Sequence, residues 1–258
     1  MRIIRSIATT LLILAPALDA LADDAPAPPP PQHEFIGKGQ FGFLDSRGNS
    51  DAASLNANLD ILRYDGQWKN ELYVGGLYGK SNGIVSAERW EFREQTNYNF
   101  TKSWFAFGGL HFEHDLFDGF VYQTSVTAGA GYDVLDTVSD KLAIQAGAGY
   151  RRLRPEVITK DAVGEVIGRD FQDSQGDLVG SLGIDYMHAF NKSTSLTDKF
   201  SAESGQLNTS VNNALALTVK MSTKLALSLG YSVLYNTNPI APLKKLDQIT
   251  TVNVQYAF

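Results

Sequence analysis

The amino-acid sequence predicts an all-β fold: a transmembrane, antiparallel up-and-down β-barrel, with twelve strands. Three observations predict it. From Phe35 onward the dominant hydrophobic period is two residues. Several of the alternating segments run to 12 residues or more, whereas strands of soluble proteins average about five or six and a tilted membrane strand needs roughly nine to eleven. The connections alternate between short and long, as in a barrel with tight turns at one end and larger loops at the other.

In order, the strands fall near residues 35–44, 52–64, 67–79, 87–100, 103–114, 120–134, 140–153, 176–189, 193–203, 207–221, 224–236 and 247–258. The clearest is Leu225-Ala226-Leu227-Ser228-Leu229-Gly230-Tyr231-Ser232-Val233, with large apolar residues at odd positions and small or polar ones at even positions. In a sandwich the large face would turn inward. In a membrane barrel it faces lipid and the small polar face lines the lumen. Pattern alone does not separate the two; strand length and count favour the barrel. Asp65-Gly66, Thr101-Lys102, Asp136 to Ser139, Asn191-Lys192 and Ser222-Thr223 are the short connections, and Arg154 to Gln175 is the longest, long enough to fold over the mouth. An even count returns the C-terminus to the side where the first strand begins. Glu94 and Asp198 violate the pattern, each falling on an otherwise apolar face. A bulge that changes side-chain parity would move either one into the lumen.

The chain ends Val252-Asn253-Val254-Gln255-Tyr256-Ala257-Phe258, with the odd face of the strand of opposite character to the even one. Such an aromatic terminus resembles the signal read by the barrel-assembly machinery of the bacterial outer membrane. Tyr256 and Phe258 are therefore the expected assembly signal, pairing with the first strand near Phe41 and Phe43. The other end agrees. Met1-Arg2-Ile3-Ile4-Arg5 is basic, Ile7 to Leu18 is mostly apolar, and Ala20-Leu21-Ala22 has the form of a cleavage site. Residues 1–22 read as a signal peptide, 23–34 as a Pro-rich periplasmic lead, and 35–258 as the barrel. Cleavage would leave 236 residues and shift the net charge from -6 to -7, two Arg and one Asp being lost.

Composition narrows the function classes. There is no cysteine, so neither a disulfide nor a thiolate zinc site is available. The acidic balance argues against nucleic acid, whose phosphates call for a basic surface. After the leader no run of 18 apolar residues occurs, which excludes membrane helices. The expected partners are outer-membrane lipid, the assembly machinery and small ions; the expected location is the outer membrane, and no cofactor is expected.

Several motifs occur in a fixed order: Gly48-Asn49-Ser50-Asp51; Phe112-Glu113-His114-Asp115-Leu116-Phe117-Asp118-Gly119; Gly129-Ala130-Gly131-Tyr132; Gly147-Ala148-Gly149-Tyr150-Arg151; Tyr235-Asn236-Thr237-Asn238-Pro239; Asp247; and the terminal Tyr256-Ala257-Phe258. Over nearly all of residues 35 to 258 this set resembles the YdiY-like family of salt-induced outer-membrane proteins, a domain family without an established function. The resemblance implies an outer-membrane barrel and an expression linked to salt or osmotic stress. It brings no catalytic residues. The glycines of the two Ala-Gly-Ala-Gly-Tyr runs should face the lumen and leave room for bulky inward residues from across the barrel or for water. Gly48-Asn49 suits a tight turn.

The lumen row on the fourth strand should be Glu91, Arg93, Gln95, Asn97 and Asn99, a mixed-charge lining that suits a narrow hydrated pore or a plug of ion pairs. His111, Glu113 and Asp115 alternate on the fifth strand. Together they would suit a divalent cation or an acidic catalytic site; the plainer expectation is a rim network with Arg151, Arg152 and Arg154 across the mouth. A membrane-embedded phospholipase or lipid A deacylase would need Ser beside a His base. None of His33, His111, His114 and His188 has Ser two positions away, which leaves only a cross-strand Ser. The sequence thus points to a narrow channel or structural envelope barrel without catalytic or metal residues, with a lipid-modifying hydrolase as the alternative.

Overall fold

The computed structural model describes residues 33–46, 52–115, 120–162, 166–239 and 244–258. The expected turn at Gly48-Asn49 lies outside them. The strands are β1 (His33–Ser46), β2 (Ala52–Asp65), β3 (Trp68–Ser81), β4 (Ile84–Asn99), β5 (Trp104–Asp115), β6 (Phe120–Asp136), β7 (Asp140–Lys160), β8 (Val166–Phe171), β9 (Gln175–Ala189), β10 (Thr194–Gly205), β11 (Thr209–Lys220), β12 (Leu225–Asn236) and β13 (Leu246–Ala257). All pairings are antiparallel, between neighbours in sequence except β7 with β9, and β1 with β13. The last of these closes the sheet into a ring of twelve strands, with β8 paired to β7 alone. Twelve residues at about 3.3 Å each, tilted by about 40°, rise about 30 Å, the thickness of a bilayer's hydrocarbon core.

The closing seam differs from its expected register. Tyr256 lies opposite Gly39, and Val254 opposite Phe41. Phe258 exchanges both backbone hydrogen bonds with Gly37, at 3.0 and 3.1 Å. The terminal aromatics thus meet β1 two to four residues nearer its start than expected, at the end where β1 begins.

The long connection after Arg154 also differs from expectation. β7 continues as a strand to Lys160 and pairs with β8, so the segment is a strand hairpin, with Glu156 and Ile158 buried. At the same end, the connection between β3 and β4 is only Asn82-Gly83, both with positive φ (50° and 81°). That combination is required by a tight hairpin turn and tolerated by this residue pair.

Side chains sort as a membrane barrel requires. Leu225, Leu227, Leu229 and Tyr231 are exposed on the outside although strongly apolar, while Val233, nearer the loops, is half-buried. Ser228 is buried, facing inward. Aromatic pairs ring both ends of the wall: Trp68 with Tyr98 and Trp104 with Tyr132 at the turn end, Trp90 with Phe112 and Phe112 with Tyr122 toward the loops. Such girdles place amphipathic rings at the two membrane interfaces.

Glu94 and Asp198 remain on the outer face. The register slips of β4 and its neighbours lie at Gly79/Lys80 and Glu113/Asp115, away from Glu94, and the β10 ladders run without a break. The bulge that would have turned them inward is absent from these ladders.

Candidate functional site in the barrel lumen

The lumen-facing residues follow from parity. On β4 these are Arg89, Glu91, Arg93, Gln95 and Asn97, and on β5 Phe105, Phe107, Gly109, His111, Glu113 and Asp115, laid side by side by the β4–β5 register. One line of charge results. Arg89 reaches Glu91 at 3.3 Å, Glu113 at 2.7 Å and Asp115 at 4.0 Å. Arg93 lies 3.0 Å from Glu91 and packs its guanidinium over the Tyr73 ring at 4.3 Å. His111 Nε2 is 3.0 Å from Glu91 Oε1.

His111, Glu113 and Asp115 are therefore brought together, but not with the expected partners. The cation beside Glu113 and Asp115 is Arg89 of the adjacent strand, while Arg151, two strands away on β7, turns to Asp177 instead. Arg89 was missed; it continues the lumen row by one more step of two. With Arg89 among them, these carboxylates form an ion-pair ladder rather than a vacant oxygen cage for a cation.

Arg151 is fully buried and grips Asp177 on β9 through Nε at 3.3 Å and Nη2 at 3.2 Å. Its Nη2 also donates to the Asn208 carbonyl at 2.7 Å, and the Leu207 N–H donates to Asp177 at 2.9 Å. This holds the β10–β11 connection against the wall. Asn208 is gripped from the other side: Thr237 Oγ1 donates to its side-chain oxygen at 2.9 Å, and its amide donates to Asn236 at 2.9 Å. The Asn236-Thr237-Asn238 motif is thus a loop latch. Arg152 is exposed, and Arg154 bonds the Gln172 carbonyl and stacks near Phe171.

Contacts that cross the lumen are the most informative. Lys199 Nζ lies 2.8 Å from Glu71 Oε1. β10 and β3 are six strands apart in either direction around the ring, so this pair bridges opposite walls. Gln95 and Gln145 exchange amide hydrogen bonds at 3.0 and 3.2 Å between β4 and β7. Ser125 donates to Glu203 at 2.8 Å between β6 and β10. Below them Phe105 and Phe107 turn inward and are buried. Their rings lie over Gly129, Gly131 and Gly147, so that a Cβ on Gly131 would come within 2.1 Å of Phe105. The glycines make room as expected, but the rings come from the next strand. Strand parity turns Glu71 and Lys199 inward, but sequence reasoning did not single them out, because nothing local pairs them.

A Ser–His pair is not assembled among the described residues. Ser125 stands opposite His111 in register but donates to Glu203. His114 Nδ1 bonds the Val121 carbonyl. His188 and Ser139 both bond Asp140, at 2.8 and 2.7 Å, with the carboxylate in the middle, whereas nucleophilic catalysis places the His there.

A closed twelve-stranded barrel, apolar outside and polar within, has the architecture of outer-membrane β-barrels. The chain belongs to the DUF481 family of proteins of unknown function, whose model matches residues 39–258. It is 24% identical over 248 residues to the uncharacterized protein YdiY of Escherichia coli strain K12, covering 93% of this chain and 92% of that one. Its fold is similar to the translocator domain of the autotransporter NalP from Neisseria meningitidis (TM-score 0.48, 13% identity, 87% of each chain). It is also similar to the COG4313 outer membrane channel from Pseudomonas putida F1 (TM-score 0.47, 11% identity, 88% of this chain and 95% of that one).

Proposed function

We propose that this chain is an outer-membrane barrel that passes small ions through a constricted lumen and excludes larger solutes. The observation that carries the reading is the Glu71–Lys199 pair, which spans the lumen from opposite walls at 2.8 Å. A side-chain bridge of this kind divides the cross-section and leaves only narrow passages beside it. Arg89, Arg93, Lys69 and Lys199 are balanced by Glu91, Glu113, Asp115 and Glu71, so no single sign of charge dominates these ion pairs and selectivity should be weak.

The same reading includes export with removal of residues 1–22 and insertion by the assembly machinery. Mature protein from outer-membrane fractions should then begin at Asp23 by mass spectrometry. The chain has no catalytic role in this reading.

The test is planar-bilayer conductance of the refolded protein in a salt gradient. Wild type should give small, weakly selective steps. Lys199→Ala should enlarge them and shift the reversal potential toward cations, since Glu71 then keeps only the more distant Lys69, at 3.9 Å; Glu71→Ala should enlarge them and shift it toward anions. Electrical silence of wild type and both variants would refute the channel. Rapid sugar uptake in a liposome-swelling assay would refute the constriction.

A further inference from the structure

The outer wall of β6, β7 and β9 carries a group of donors that the described residues leave open. Arg152 and Arg154 share the outward face of β7, two residues apart, beyond the exposed Tyr150. Arg154 lies opposite Tyr122, whose ring belongs to the girdle nearer the loops, so both guanidinium groups stand at the depth of the lipid headgroups. Arg152 makes no hydrogen bond or ion pair with any described residue. Arg154 donates from Nε to the Gln172 carbonyl at 3.3 Å and lies over the Phe171 ring, which leaves its two Nη groups open. Asp170, on β8, is bonded by Gln172 at 3.2 Å and pairs with neither arginine. Tyr150 adds a third donor. A Cβ on Gly176 would come within 2.1 Å of its hydroxyl, so the phenol reaches over bare backbone at Gly176, which faces Arg152 in register. That hydroxyl too is without a partner among the described residues.

We infer that this patch binds the phosphate of an anionic membrane lipid in the leaflet at the loop end. Two guanidinium groups and a phenol hydroxyl supply donors and positive charge with no carboxylate among them. A phosphate supplies the acceptors and the negative charge, and guanidinium meets it with paired N–H bonds. Toward the midplane the same face turns apolar. Val126 and Leu178 flank Tyr150 in register on either side and are 56% and 79% exposed, so the acyl chains below a headgroup held here meet hydrocarbon surface. The outward arginine at the turn end is different: Arg63 carries its own counter-charge, Asp65 at 2.8 Å. The site lies on the outer wall and does not depend on what the lumen passes.

Native mass spectrometry of the detergent-purified barrel, titrated with phosphatidic acid or with diacylglycerol of the same acyl chains, isolates the contribution of the phosphate. Phosphatidic acid should be retained and diacylglycerol should not. Arg152→Ala and Arg154→Ala should each weaken phosphatidic acid binding by about tenfold, through the loss of charge-assisted bonds, and Tyr150→Phe by about threefold. Arg63→Ala, at the other interface, should bind as wild type. Arg152 is exposed and unbonded, so its variants should keep the folded band on unheated gels; Arg152→Gln, which keeps a polar side chain without the charge, serves if Arg152→Ala does not fold. Inorganic phosphate in excess should leave the lipid bound. Equal retention of the two lipids, equal loss in Arg63→Ala, or Arg152 and Arg154 variants that bind as wild type would each overturn the proposal. Displacement by inorganic phosphate would make the ligand a free anion and overturn the assignment to a lipid.

Discussion

Single residues decide how tightly this lumen is filled. Gly131 is the sharpest case, because the Phe105 ring occupies the space a Cβ would need. Gly131→Val should therefore destabilise the barrel by about 1–3 kcal/mol through overpacking, read as a lower urea midpoint in detergent or lipid. Combining it with Phe105→Ala should recover part of the loss, since the two changes share one volume. Arg151 is the second case. It is fully buried and its partner Asp177 nearly so, so removing the guanidinium leaves a carboxylate without its counter-charge. Arg151→Ala should cost about 3–5 kcal/mol and release the β10–β11 connection, visible as new protease cleavage near Leu207. Arg151→Lys should be a partial substitute, because an ammonium cannot reproduce the forked contact.

Strands and hairpins are not equally necessary. The β7–β9 ladder runs from Asp140–His188 to Leu153–Gln175, and the extension of β7 with β8 stands beyond it. The Glu156–Arg169 pair closes that hairpin upon itself. Replacing residues 157–171 by a short Gly-Ser link should leave the ring of twelve strands intact, with the same folded band before heating and the same unfolding after it. Loss of the folded band would show instead that the hairpin is needed to close the ladder. The long connection was predicted in place but not in form. Its Val-Ile-Thr and Val-Ile-Gly stretches are too short for a period of two to stand out, and pairing with each other extends them.

For the whole molecule, closure depends on the seam between β1 and β13. Phe258 contributes two backbone bonds to Gly37 and a ring lying against it, beside Tyr256 at 6.4 Å. Phe258→Asp should lower the amount of folded barrel in outer-membrane fractions and leave periplasmic aggregate, by placing a charge where an aromatic ring is favoured at the interface. Recovery of that variant at wild-type levels would remove the terminal ring from the assembly signal. Refolding the purified variant separates the two roles of the ring: a normal yield in detergent would assign the loss in cells to delivery, not to closure.

Much of the architecture follows from the sequence alone. Alternation over Leu225–Val233 and its equivalents sets the facing of each residue, because a strand turns its side chains by a period of two wherever it lies. Strand count and loop alternation set the topology, for only consecutive antiparallel neighbours can be joined by turns as short as Gly66-Gln67. Facing also placed Glu91, Arg93, Gln95, Asn97, His111, Glu113, Asp115 and Arg151 on the inner side. The partner of each was beyond sequence reasoning. Glu71 meets Lys199, Arg151 meets Asp177 and Phe258 meets Gly37 only once the ring closes in one register, because a shift of the stagger between strands changes every contact across the lumen while leaving each local pattern unchanged.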